Sequence, residues 1–237
     1  MWNRAEIKAR GKAAFKNNYW NSVLVSLIYS IFFMASSSTY RSRSGEIKEQ
    51  LENNPDAAKI LVAVLAVLGV IIMFGIVVKI LVINPLEVGC SKFFLMNQAG
   101  RPQPTIIGDG YSQNYKNNVL GIFLKDLFIT LGYIAFIIPG VILSYSFRLV
   151  PYILAEDPGI SGPDALRKSR EMMQGQKMNC FIFDWSFILW NLLVLVTCGI
   201  AGLFYVRPYK MNADAVLYQA IKGESSNPNA YDQYVNF

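Results

Sequence analysis

Two arginines stand inside apolar sequence. Arg148 lies in FIIPGVILSYSFRLVPYILAED (136–157) and Arg207 in VTCGIAGLFYVRPY (196–209). A guanidinium stays ionised and can grip a carboxylate or phosphate with two parallel hydrogen bonds. Within an apolar segment it is costly, so it faces a bundle interior or a wet cavity and needs a partner. The two sites share a pattern. Gly140 precedes Arg148 by eight residues and Gly199 precedes Arg207 by eight, and Pro151-Tyr152 and Pro208-Tyr209 follow. If each glycine marks a turn, both arginines sit about 12 Å from it at helical rise.

Folding the chain back at Pro139-Gly140 sets Arg148 opposite Thr130 and Leu131, with Asp126 one turn farther and the first candidate partner. Folding at Cys198-Gly199 sets Arg207 opposite Trp190 and Asn191. Lys210 and Asp214 form an i,i+4 pair, with Asp184 at matching depth. Pro151 and Pro208 also free the carbonyls of Phe147 and Phe204 as acceptors. The candidate polar cluster is therefore Arg148, Asp126, Arg207, Asn191, Lys210, Asp214 and Asp184. Three roles are open to it: ion-pair glue inside a bundle, a site for an anionic ligand or lipid headgroup, or the lining of a translocation path.

Other chemistry has little to stand on. The chain has no histidine, so Ser-His-Asp triads, HExxH metal sites and the usual neutral-pH proton shuttle are excluded. Cys90, Cys180 and Cys198 are scattered singly, without the paired spacing of a zinc or redox site. Neither a P-loop nor a GxGxxG sequence occurs. No enzyme activity, metal, cofactor or nucleic-acid partner is expected.

The elements that must position these residues are membrane helices. Of 237 residues 53% are hydrophobic and only 16% charged, against about 25% charge in an ordinary soluble domain. The apolar residues gather in runs. Leu61 to Val78 carries no charge and, extended through Ile83, is long enough for a hydrocarbon core of about 30 Å. The pattern predicts an all-α polytopic bundle of about six spans in hairpins, at 21–38, 58–83, 119–138, 141–155, 181–197 and 200–221. Residues 40–58 read as a polar loop of mixed charge, and 85–95 as a short helix begun by Pro85. Residues 156–180 read as an amphipathic helix with Pro163 in its first turn, Leu166, Met172 and Met173 on its buried side and Gly175 at its stop. Pro85 after the second apolar run suggests a third, weaker copy of the break-then-proline pattern; internal repeats are common in membrane transport folds.

The domain reading is a basic amphipathic helix over 1–20, a transmembrane domain over 21–221 and a polar tail over 222–237. In the first, Asn3 can cap a helix, and Arg4, Lys8, Lys12 and Lys16 form one basic stripe suited to anionic lipid headgroups. Ile7, Gly11, Ala14 and Phe15 lie on another face. This start and the apolar run after it have the outline of a signal peptide with Ala35-Ser36-Ser37 as the small-residue site, but the long structured basic region favours retention. Basic residues concentrate in 1–20, 92–116 and 156–180. The positive-inside rule then places the N-terminus and these segments in the cytoplasm. Expected partners are membrane lipids with anionic headgroups, and a protein partner or a second copy of the chain.

Five phrases, NRAEIKARGKAAFKNNYW, IPGVILSYSFRLVPYILAEDP, ALRKSREMMQGQK, FDWSFILWNLLVLVTCGIAGLFYVRPY and AVLYQAI, occur in this order. Together they resemble the bacterial integral membrane proteins of domain of unknown function family 975, over about residues 3–222. More distantly, the PG hairpin and the closing segment look like the membrane domain attached to some glycerophosphodiester phosphodiesterases. The resemblance implies a six-helix bundle in the bacterial cytoplasmic membrane and supports splitting the last apolar block. It implies no activity and carries over no functional residue. The functional expectation is a non-catalytic membrane protein acting through lipid or partner contacts. The alternative is a small-solute or ion transporter with the arginines along its path.

Overall fold

The computed structural model describes residues 2–35, 55–112, 114–197 and 199–226. Among them all regular structure is helical: α1 Arg4–Asn17, α2 Tyr19–Ala35, α3 Pro55–Val78, α4 Asn84–Met96, α5 Asp109–Ser112, α6 Tyr115–Ala135, α7 Ile137–Ser146, α8 Val150–Glu156, α9 Gly162–Met172, α10 Lys177–Trp185, α11 Ile188–Val196 and α12 Arg207–Ser226. The expected loop over 40–58 falls almost wholly outside the described residues. So do Cys198, the cleavage-like Ser36-Ser37 and most of the tail.

Four segments are long and apolar enough to cross a membrane: Val62–Met96, Tyr115–Ala135, Ile137–Glu156 and Lys177–Val196. Their outward faces are apolar. Val70 and Phe74 on α3, Ile134, Phe136, Ile137 and Ile138 around the α6–α7 turn, and Leu189, Leu195 and Val196 on α11 are all exposed. A surface of this kind is stable against lipid and a liability against water. α1, α8, α9 and α12 bury a dense core around Phe15, Ile153, Met173 and Tyr218. A second core around Phe93, Phe94, Leu86 and Ala215 seals α4 against α12.

The α6–α7 hairpin is present, but it does not turn at Pro139-Gly140. The chain reverses at Phe136, the one extended residue between the two helices (φ −163°, ψ 157°). Pro139 instead sits in the first turn of α7, where a missing N–H leaves no helical bond unmade. Gly140 serves packing: a Cβ there would lie 2.4 Å from the Tyr133 ring. Gly199 does mark the other turn, in the left-handed region at φ +91°, with Gly202 closing against Val194. Within 156–180 the helix is only Gly162–Met172, since 177–180 open α10; Ser161 caps it, Pro163 lies in its first turn, Leu166, Met172 and Met173 are buried, and Gly175 adopts φ +74° beyond its end.

The N-terminal helix is packed against the C-terminal one. Asn3 caps it as anticipated, its Oδ1 accepting from the Ala5 N–H at 2.9 Å. Its face of Ile7, Gly11, Ala14 and Phe15 is buried against α12, however, and does not lie on a lipid surface. The fit is tight enough that a Cβ on Gly11 would come within 2.7 Å of the Ala213 Cα. Arg4, Lys12 and Lys16 remain exposed. Lys8 leaves the stripe: its Nζ donates to the Ser186 carbonyl at 3.0 Å and lies 4.6 Å from the centre of the Phe187 ring. Burial first, then the charges of Arg4 and Lys210, lower its pKa from the usual lysine value.

A buried amide network fixes the elbow between α1 and α2. Asn97 donates to the Asn212 side chain at 2.7 Å and to the Ala14 carbonyl at 3.2 Å, while Asn18 donates to Asn97 at 2.9 Å. All three asparagines are buried. Asn97→Leu strands acceptors on α1 and α12 without water to replace the donor, so it should destabilise the fold by about 2–3 kcal/mol. Unfolding of detergent-solubilised protein is the check, and an unchanged midpoint would mean the network contributes nothing.

Candidate functional site

Three helical segments break in the same way, each just before an X-Pro pair. α3 opens into a π-helical turn at Lys79–Ile83 before Asn84-Pro85. α7 ends in a turn at 147–149 before Val150-Pro151. The chain after Gly199 widens into a π-helical turn at Gly202–Val206 before Arg207-Pro208. Proline supplies no N–H to the carbonyl four residues earlier, so the preceding turn loosens. In the first case the freed carbonyl, that of Leu81, accepts the Tyr115 hydroxyl at 2.8 Å. The third, weaker copy of the repeat is thus a structural one.

Beside each break stands a cation. Arg148 grips Asp184 with two bonds, Nη1 to Oδ2 at 2.7 Å and Nη2 to Oδ1 at 2.9 Å, and reaches Asp214 Oδ1 at 2.8 Å. Lys210 binds the same two carboxylates, at 2.9 Å and 2.7 Å. The Tyr145 hydroxyl donates to Asp184 at 3.0 Å, and the Lys210 ammonium lies 5.2 Å from the Phe183 ring centre. The expected pairing of Arg148 with Asp126 is therefore corrected. Asp126 is held by Lys79 of the first broken segment and, at 3.5 Å, by its neighbour Lys125, which also binds Glu87 at 2.5 Å. Folding one hairpin on paper omits the helices beside it, and those helices supply the true partners. Nor does Arg148 need the Phe147 carbonyl, which accepts from the Val150 N–H.

Both clusters apart from Lys79, with Asn191 and Arg207, line one cavity of about 700 Å³. All seven residues of the expected polar cluster reach it. The wall also holds Tyr29 and Ser30 of α2, Glu87 and Phe94 of α4, Lys125 of α6 and Tyr152 of α8. Measured along the helices from their turns, Asp126 and Arg148 lie about 14–17 Å in, near the middle of a hydrocarbon layer of about 30 Å. Arg4, Lys12 and Lys16 do not contribute to this wall.

Sequence reasoning missed Glu87 and Lys79. Lys79 read as the tail of an apolar span, and Glu87 as one residue of the short helix begun by Pro85. The signal was the third proline: Glu87 follows Pro85 by two residues, as Lys210 follows Pro208.

Comparison with curated proteins and with solved structures gives no match. The likeness to the membrane domain of glycerophosphodiester phosphodiesterases gains no support. A family model described as "Protein of unknown function (DUF975)" matches residues 57–225. That match takes in all three broken segments and every wall of the cavity except the one α2 supplies, and the chain belongs to this family.

Proposed function

We propose that this chain is a non-catalytic integral membrane protein that works by holding a ligand in its central cavity, drawn from the lipid phase or presented by a partner. One observation carries the reading. A bundle with an apolar outer surface holds a partly open cavity of about 700 Å³ lined by Glu87, Lys125, Asp126, Arg148, Asp184, Arg207, Lys210 and Asp214. Glue alone needs the charges in contact and leaves no such space. Ligand sites are commonly concave, with a few convergent polar groups in a largely apolar frame. The lack of histidine favours a role without acid–base catalysis. Six spans in the bacterial cytoplasmic membrane, with the N-terminus cytoplasmic, fit the basic segments and the family resemblance. On this topology Arg4, Lys12 and Lys16 face anionic headgroups.

The test is native mass spectrometry of the full chain extracted with its own lipids. A small molecule or lipid should be retained at about one per chain, and Asn191→Trp, which fills the wall from an exposed position, should displace it. Retention identical in wild type and variant, or none in either, would sink the proposal. A transport role is the second reading, favoured by the three breaks beside the cavity, because an interrupted helix can bend there. It expects solute flux in reconstituted vesicles that Asn191→Trp abolishes.

A further inference from the structure

Four cations and four carboxylates line the cavity, and Lys79, outside that wall, also binds Asp126, so the two ion-pair groups are complete without Arg207. Lys79 and Lys125 balance Asp126 and Glu87; Arg148 and Lys210 balance Asp184 and Asp214. Arg207 lines the same wall and has no ion pair among the described residues. The cause lies in how the three broken segments meet their neighbours. Lys79 at the first break is answered by Asp126 on α6, and Arg148 at the second by Asp184 on α10. Arg207 at the third packs in a region walled by α2, which offers Tyr29 and Ser30 and no acid. An unbalanced guanidinium within an apolar bundle is unfavourable unless an anion joins it.

The cavity wall also reaches the outer surface at Asn191. Asn191 is exposed, and so are Ile188 and Leu192 on the same helix. An amphiphile can therefore place its polar group at Arg207 while its chains stay outside. Resting on the reading of the cavity as a ligand site, we infer that Arg207 is the seat for a phosphodiester carrying one net negative charge. One such group neutralises the one spare cation, and the guanidinium fork matches two phosphate oxygens.

The experiment titrates the full chain in uncharged detergent micelles, followed by native mass spectrometry. Dioleoylphosphatidylglycerol is the lipid probe, and glycerophosphoglycerol, the same diester without acyl chains, is the soluble one. Wild type should bind one phosphatidylglycerol per chain. Arg207→Gln should weaken this about ten- to a hundredfold, the range for a lost charge-assisted hydrogen bond, with Arg207→Lys in between. Because Arg207→Gln removes no ion pair among the described residues, its folded yield should match wild type. Lys12→Gln with Lys16→Gln, on the exposed face of α1, should leave the affinity unchanged. Binding of glycerophosphoglycerol with the same Arg207 dependence would support the seat and name a soluble source. Equal phosphatidylglycerol affinity in wild type and Arg207→Gln, with loss in Asn191→Trp, would overturn the assignment of Arg207 and leave the cavity reading standing. Absence of saturable binding of either probe, or binding indifferent to both substitutions, would overturn both.

Discussion

Arg148→Met should lower the stability of the folded protein by about 3 kcal/mol, the lower end for breaking a buried ion pair, and adding Asp184→Asn should restore most of it. The single change leaves Asp184 and Asp214 sharing only Lys210, two carboxylates about one ammonium in a wall that is mostly out of water. Arg148 is the better buried partner, its side chain only 16% exposed, so Coulomb terms there are poorly screened. Asp184→Asn returns the cluster to one cation and one anion, Lys210 and Asp214, and keeps an oxygen for the Tyr145 hydroxyl. The effect is strongly non-additive, and a double-mutant cycle read by unfolding in detergent measures it. If the double variant is less stable than either single one, charge balance is not what holds these residues together.

Gly89→Ala should cost at least about 3 kcal/mol, the upper end for overpacking a core, and should reduce folded yield. A Cβ at Gly89 would meet the Ile107 carbonyl oxygen at 2.0 Å. The obstacle is backbone, which has no rotamer to retreat into. The same seam holds Gly110 against the Pro85 carbonyl oxygen at 2.0 Å. α4 would have to shift away from the segment 104–112, carrying Glu87 with it and loosening the hold on Lys125. Thermal inactivation of ligand binding, compared with Gly100→Ala where the space is open, separates this packing effect from the general cost or benefit of removing glycine. Equal behaviour of the two variants would refute the close approach.

The fold class was legible because its signal is additive along the chain: apolar runs of membrane length and few charges. Hairpin geometry was legible only where backbone conformation demands one residue type. Gly199 turns because its φ requires glycine, whereas Pro139-Gly140 imitated a turn and served helix entry and helix contact. Part of the cavity's membership was legible, since charges in apolar sequence have few places to go, but Glu87 and Lys125 were missed. The pairing of the charges was not legible. Asp184 and Arg148 are 36 residues apart, on helices whose adjacency no local pattern encodes. What covers the apolar face of α1 was illegible for the same reason: amphipathicity says that a face is covered, not that α12 covers it.

The most direct measurement is photocrosslinking in the native membrane, with a benzoylphenylalanine at position 191 on the cavity wall and another at position 70 on the exposed face of α3. The expected result is one discrete phosphorus-containing adduct at position 191 that disappears in the Arg207→Gln background, with an unselective set of acyl-chain adducts at position 70. The same unselective set at both positions, or only intramolecular crosslinks at 191, would contradict the claim that the charged cavity is a ligand site.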